Sequence, residues 1–288
     1  MRSATPLDAL DATSAGEIAK LCRRALPDPP DAGEILGCLF ARDEPACVRG
    51  DPTMAVVATS VQENEANGEV RGFVKLLVVD PAYQRRGHGH DLLEAAERDL
   101  ATASTITIGA DAPYYLFPGV ELSWTAMQCL LERFKYQRTA VNFDMMIDLS
   151  TLGGVSGGGA KLATEDDRSH LASFMDTHWR FWKKEVMRAL DKSMLLVAED
   201  EDGISGFCAL DVNRHGVLGP VAVRPDLMGK GVGARILDAA VVHLREQGRS
   251  RVKVSWVSVI SAYARLGGKI AEAYIVYEKR PKATGAEI

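Results

Sequence analysis

Apolar positions along the chain alternate between two periods. Runs rich in β-branched residues at 54–61 and 70–79 read as strands separated by a polar turn at 63–68. Leucines and alanines then return at helical spacing, at Leu92, Leu93, Ala96 and Leu100. A strand at 105–109, a helix at 125–134 and a strand at 139–148 complete this first series. Two helices precede it: one over 14–25, with Ser14 as N-cap and Glu17 as its capping-box partner, closed by Pro27 to Pro30, and one over 31–41. The second half repeats the order. Helices are predicted at 166–179 and 181–190, and strands at 194–199, 206–211 and 217–223. A helix carrying Ile236, Leu237, Ala240 and Leu244 follows, then a strand at 251–256, a helix at 260–266 and a strand at 272–277. Between the halves lies a glycine-rich stretch from Gly153 to Gly159, which reads as a flexible linker. Ala160 and Lys161 do not supply the Lys-Ser/Thr pair that a phosphate loop of the Walker type requires there. The expectation is an α/β chain of two domains, 1–150 and 160–288 joined by 151–159, each a mixed α+β sheet flanked by helices.

The repetition extends to single residues. Val79-Asp80-Pro81-Ala82-Tyr83-Gln84-Arg85-Arg86-Gly87-His88-Gly89 returns 144 positions later as Val223-Arg224-Pro225-Asp226-Leu227-Met228-Gly229-Lys230-Gly231-Val232-Gly233. Each copy joins a strand to a helix. Such a loop aims free backbone N–H groups, and the positive end of the helix dipole, at one point, which suits a phosphate or pyrophosphate. Glycine is needed where a side chain would block close approach, and Arg85, Arg86 and Lys230 add positive charge. A dinucleotide fingerprint would want an acidic residue at the end of the next strand, and the strand at 252–256 ends without one.

Composition narrows the setting. With 47% hydrophobic residues and no apolar run near the ~18 residues that a membrane span requires, the chain is expected to be a soluble protein. Met1 to Pro6 carry no apolar signal core, so the expected location is the cytoplasm. Five cysteines without paired spacing point to reduced thiols, with no metal site. A net charge of −5 gives no electrostatic support to a nucleic-acid partner. A monomer or homodimer acting on small molecules is expected.

On these residues the chain resembles the GNAT N-acetyltransferase superfamily, in its tandem form. The motif Val-x-Pro-x-x-Gln/Arg-x-x-Gly-x-Gly/Ala is similar to that family's acetyl-CoA-binding motif, and the predicted element order fits its fold in both halves. The resemblance implies acetyl-CoA as co-substrate and no metal. It assigns the CoA pyrophosphate to Gln84, Arg85, Arg86, Gly87, His88, Gly89 and His90 in the first half. In the second it assigns it to Met228, Gly229, Lys230, Gly231, Val232, Gly233 and Ala234. The pantetheine arm is expected along the strand edges Leu77, Val78, Val79 and Val221, Ala222, Val223, beside main-chain donors for a developing oxyanion.

Many members of that superfamily protonate the departing CoA thiolate with a tyrosine in a Tyr-x-x-Leu-Gly pattern. Tyr263-Ala264-Arg265-Leu266-Gly267 matches it, whereas Leu131-Glu132-Arg133-Phe134-Lys135 places a leucine where the first half should have its acid. Conversely, Gln84 fits the motif and Met228 departs from it, which removes a polar contact but leaves the main-chain cradle. The second half is therefore expected to be catalytic, with Tyr263 as general acid, and the first to bind acyl-CoA without efficient turnover or to serve as scaffold. A neutral primary amine of a small metabolite would attack the thioester directly. The strand at 217–223 holds no carboxylate, leaving His215, Asp211 or a water chain as weak candidates for the base. The acceptor is expected among the aromatic residues of 178–184, which equally suit a helix junction with two core tryptophans. The aromatic loop from Tyr114 to Gly119 has a pocket or the other domain as its neighbour. Two rival readings stay open: a non-catalytic acyl-CoA-binding or sensor protein, and a protein-lysine acetyltransferase.

Overall fold

The computed structural model describes residues 7–41, 43, 45–64, 67–155 and 157–281. Met1 to Pro6, on which the reading of the N-terminus rests, lie outside them. In chain order the elements are α1 (Ala15–Ala25), α2 (Ala32–Ile35, continued by a π-turn Leu36–Phe40), β1 (Cys47–Asp51), β2 (Ala55–Glu63) and β3 (Val70–Val79). Then come α3 (His88–Asp99), β4 (Thr105–Ile108), β5 (Val120–Glu121), α4 (Thr125–Arg133) and β6 (Gln137–Asp148). The second series has β7 (Lys161–Leu162), α5 (Arg168–His178), α6 (Lys183–Asp191), β8 (Leu195–Asp200), β9 (Gly203–Leu210), β10 (Val217–Val223), α7 (Val232–Glu246), β11 (Arg251–Val254), α8 (Ile260–Ala264) and β12 (Lys269–Lys279). No described helix is long and apolar enough to cross a membrane.

Local chemistry explains most of these boundaries. Asp31 caps α2 in a reciprocal capping box with Glu34. The box expected at Ser14 is absent: Asp11 caps a 3₁₀ turn ahead of α1, Ser14 makes no side-chain cap, and Glu17 pairs with Lys20 instead. β1 was not anticipated, because Cys-Val-Arg-Gly-Asp has no strand-like run; it pairs antiparallel with β2 as an edge strand.

Each compact unit is a mixed sheet with a core on either face. In the second unit Cys208 and Leu210 turn toward α7 with Ile236, Leu237, Ala240 and Leu244, while Phe207 and Ala209 turn toward Leu171 and Phe174 of α5 and Val186 of α6. Gly206 is required where β9 meets β10 and α7, since a Cβ there would lie 2.7 Å from both the Ala222 carbonyl and Ile236.

The units do not follow a cut at the linker. One gathers Met1–Asn142 with Tyr274–Ile288, and the other holds Phe143–Ala273. The cause is an exchange of strands. The end of β6 pairs with β11, from Met145 opposite Val254 to Asp148 opposite Arg251. The end of β12 pairs with β4, Tyr277 lying opposite Ile108. Side chains fix the exchange: Met145 and Ile147 enter the core around α7, and Tyr277, fully buried, joins that of α3 and β4. Lys279 reaches Glu97 at 2.6 Å and Arg71 reaches Glu278 at 2.9 Å. We therefore expect residues 1–150 or 160–288 produced alone to lack a cooperative thermal transition, and co-expressed halves to regain it. A cooperatively folding 1–150 fragment, read by circular dichroism, would contradict this.

Candidate active site

The two glycine loops share one backbone course. Asp80 or Arg224 leads into a 3₁₀ turn, Pro81–Tyr83 or Pro225–Leu227. The chain then takes left-handed conformations at Arg85 (φ 63°) and Gly87 (φ 103°), matched by Gly229 (φ 76°) and Gly231 (φ 83°). Gly87 and Gly231 are the N-caps of α3 and α7 and have no side chain to satisfy the first turn. The carbonyls of these caps accept the first helical hydrogen bonds, from the N–H groups of Asp91 and Arg235. The preceding N–H groups of His88, Gly89 and His90, and of Val232, Gly233 and Ala234, are thus the orphan donors an anion takes up. Arg86 stacks over Tyr83 at 5.6 Å, and His90 packs edge-on to Phe134 at 4.9 Å. Among the described residues, His90, Asp91 and Glu94 bring ligand-type atoms within 4.8 Å of one another on the outer turns of α3.

Beside each loop a pair of parallel strands parts. β3 pairs with β4 only from Arg71 to Val74, while β2 accompanies it to Val79. β10 pairs with β11 only at Val217 and Leu218, while β9 follows it to Val223. A register shift marks the same point in each copy, skipping Lys75 in β3 and Gly219-Pro220 in β10. The departing strand turns away through Gly109 (φ 70°) and Ala110 (φ 56°), or through Trp256 (φ 54°). In the first unit the resulting edge opens into a cavity of about 540 Å³. Leu77, Val78, Val79, Gln84, Arg85, Gly87, Gly89 and His90 line it, together with Leu26, Trp124, Leu130 and Arg133.

The bulges differ in chemistry. Lys75 is fully buried and pairs with Asp111, which also accepts from Ser60 at 2.8 Å; the same ammonium donates to the Tyr114 carbonyl at 2.9 Å. The Tyr114 to Gly119 loop thus folds inward, with Tyr114, Leu116 and Phe117 buried. At the matching place in β10 there are only Gly219 and Pro220.

Hydrogen bonding equates Leu131 with Tyr263: Tyr136 N–H donates to the Leu131 carbonyl and Gly268 N–H to that of Tyr263, with Lys135 and Gly267 both left-handed. Leu131 is fully buried. Tyr263 is partly buried, as are Val221 and Val223, against the core that holds Cys208. Burial, and secondarily the neighbouring Cys208 thiol, raise its phenol above the usual tyrosine range.

Other candidates resolve as follows. Asp211 receives Arg249 and the Gly216 N–H, so its carboxylate is committed to the turn before β10. Trp179, Phe181 and Trp182 form a cluster with ring centres 4.4 to 6.1 Å apart, and Phe181 is 65% exposed. Gln84 Nε2 donates to the Val79 carbonyl at 3.1 Å, and Trp179 Nε1 to the Val223 carbonyl at 3.2 Å.

Two buried carboxyls escaped the sequence reading. Asp144 on β6 accepts from Ser255 Oγ at 2.9 Å and Trp256 N–H at 2.8 Å, where β11 ends. Burial raises its pKa to about 6, against those hydrogen bonds and Lys253. Its signal was an acid set between the apolar residues Phe143 and Met145 in mid-strand. Glu185 on α6 is 2% exposed, with Asn213 donating to Oε1 at 3.3 Å and no partner for Oε2 among the described residues. Burial raises its pKa from 4.5 to about 8, opposed by Arg188 and Asn213. The fold therefore holds this proton more tightly than the unfolded chain does. That stabilising contribution is complete below the unfolded pKa and is lost as pH rises through about 8. Glu185→Gln should unfold several degrees higher than the unaltered protein at about pH 9, and alike at about pH 4. Thermal melts across pH check this.

Comparison with known proteins agrees with this geometry. Residues 191–279 match the Acetyltransferase (GNAT) domain family. Mycothiol acetyltransferase of Kineococcus radiotolerans is 29% identical over 203 residues, which span 65% of this chain and 64% of that protein. Three solved structures share the fold. The tandem GNAT protein of the clavulanic acid biosynthesis pathway has a TM-score of 0.70 at 14% identity, covering 97% of this chain and 99% of that one. An N-acetyltransferase from Sphaerobacter thermophilus has a TM-score of 0.66 at 18% identity, covering 98% and 97%. The glucosamine N-acetyltransferase region of a fungal multi-domain β-N-acetylglucosaminidase has a TM-score of 0.78 at 20% identity, covering 97% of this chain and 38% of that one. The second unit thus carries the sequence signature of the GNAT acetyltransferase domain, and the chain shares its fold with tandem GNAT structures.

Proposed function

We propose that the protein is an acetyl-CoA-dependent N-acetyltransferase that turns over in its second unit, on a primary amine of a small metabolite. The observation that carries this reading is the pairing of an interrupted strand with a proton donor. β10 pairs with β11 only as far as Leu218, and Tyr263 packs against the same core as Val221 and Val223 of the unpaired stretch. CoA bound there places its pyrophosphate on the N–H groups of Val232, Gly233 and Ala234. Its pantetheine runs along Val221 to Val223, and its thioester lies near the bulge at Gly219.

The amine must arrive neutral, since an ammonium has no lone pair to attack with. Its nitrogen adds to the thioester carbon, main-chain donors hold the oxyanion, and collapse breaks the carbon–sulfur bond. A phenol held above its usual range stays protonated at neutral pH, the form required of an acid that hands its proton to the departing sulfur. We assign Asp144, ionised above about pH 6, to receive the amine's proton through water. In the first unit the same fold has Leu131 for the acid and Lys75 at the bulge, and its cavity suits acyl-CoA held without efficient turnover.

Native mass spectrometry with CoA should count two molecules on the full chain, and one each for Gly87→Val and Gly231→Val, whose left-handed positions disfavour a branched side chain. No bound CoA at either unit would sink the reading. Tyr263→Phe should slow acetyl-CoA thiol release by about a hundredfold or more at unchanged CoA affinity. Asp144→Asn should remove an ascending limb near pH 6 from the kcat profile.

A further inference from the structure

We propose that Trp179 is a positioning residue for the acyl-CoA edge of the second unit, taking the place that Gln84 holds in the first; this rests on the reading of that edge as a CoA site. The two repeats provide the comparison. Val79 and Val223 are matching residues, each the last of its strand before the glycine loop. In both, a side-chain N–H reaches the carbonyl: Gln84 Nε2 at 3.1 Å in the first unit, Trp179 Nε1 at 3.2 Å in the second.

The exchange is reciprocal. The counterpart of Gln84 is Met228, 55% exposed and without a donor. The counterpart of Trp179 is Leu26: each is the C-cap of an eleven-residue helix, and their N–H groups donate to the carbonyls of Met175 and Cys22. Leu26 likewise lacks a donor, and it lines the first cavity. Where the loop supplies the amide, the helix end is aliphatic; where the loop has lost it, the helix end supplies an indole. The carbonyl is satisfied in both units, by different parts of the fold.

This carbonyl matters because it belongs to the last peptide plane of the strand. Anchoring it fixes how the neighbouring main-chain groups face along the edge, and leaving it half-buried without a partner costs free energy. The source of the donor matters as well. Gln84 lies five positions from the carbonyl it holds, so the first edge is fixed within its own loop. Trp179 lies 44 positions away, at the junction of α5 and α6, with Trp182 and the exposed Phe181 packed beside it. In the second unit the carbonyl that ends the edge is thus held by an indole from the junction of α5 and α6.

The test uses the full chain with Gly87→Val closing the first loop, titrated with CoA by calorimetry. Trp179→Phe keeps an aromatic ring and removes the donor; it should weaken CoA binding about fivefold, the range of one neutral hydrogen bond. Adding Met228→Gln to Trp179→Phe restores the amide of the first unit and should return affinity to within about twofold. Unchanged affinity in Trp179→Phe overturns the proposal. So does a loss that Met228→Gln fails to repair, since the indole would then act through packing alone. If the Gly87→Val chain binds no CoA before any change at Trp179, the CoA reading of the second unit itself fails.

Discussion

The interruption of parallel pairing after Val74 and Leu218 is the constraint on which the rest depends. A strand inside a sheet normally spends both rows of backbone groups on its neighbours, and one that loses a neighbour halfway retains a row of donors and acceptors. Both units create that condition in the same way: a register shift in one strand and a left-handed turn that carries the other off. The helix that follows points its uncapped first turn at the same opening. Both openings are thus built from main-chain geometry, and the units differ in the side chains placed around them.

The first unit fills its bulge with a buried ion pair and has a core leucine, Leu131, where the second has Tyr263. The second leaves the bulge to glycine and proline and packs a phenol against the core it shares with Val221 and Val223. A buried pair such as Lys75 with Asp111 costs desolvation that its attraction only partly repays, so it speaks for a fixed arrangement more than for stability. The two repeats thus share the course of the loop and differ in the side chains around it.

The strands that frame the site were legible because burial on both faces makes them continuous β-branched runs: β3 and β10 lie at the residues read from sequence, 70–79 and 217–223. Tyr263 and Leu131 were legible through the resemblance of Tyr263-Ala264-Arg265-Leu266-Gly267 to a family pattern that Leu131-Glu132-Arg133-Phe134-Lys135 lacks. The partners of β6 and β12 were not, because alternation specifies a strand without naming its neighbour. The glycine linker drew the eye to a boundary in chain order, while the contacts of Met145 and Tyr277 draw it elsewhere. Met228 looked like a lost contact for a similar reason: its substitute, Trp179, comes from 44 residues before the carbonyl it serves, a distance over which no local pattern reports.

The exchanged strand also sets an order of events during synthesis. Thr107 of β4 meets its β12 neighbour Glu278 only across 171 positions of chain. While a ribosome makes the second repeat, the nascent first repeat carries β4 with one edge uncovered, and long-range closure of this kind is slow. An uncovered edge is a template for pairing with any other strand, including that of a neighbouring nascent chain. The half of the protein made first is thus the half whose sheet is closed last, by the final strand of the second.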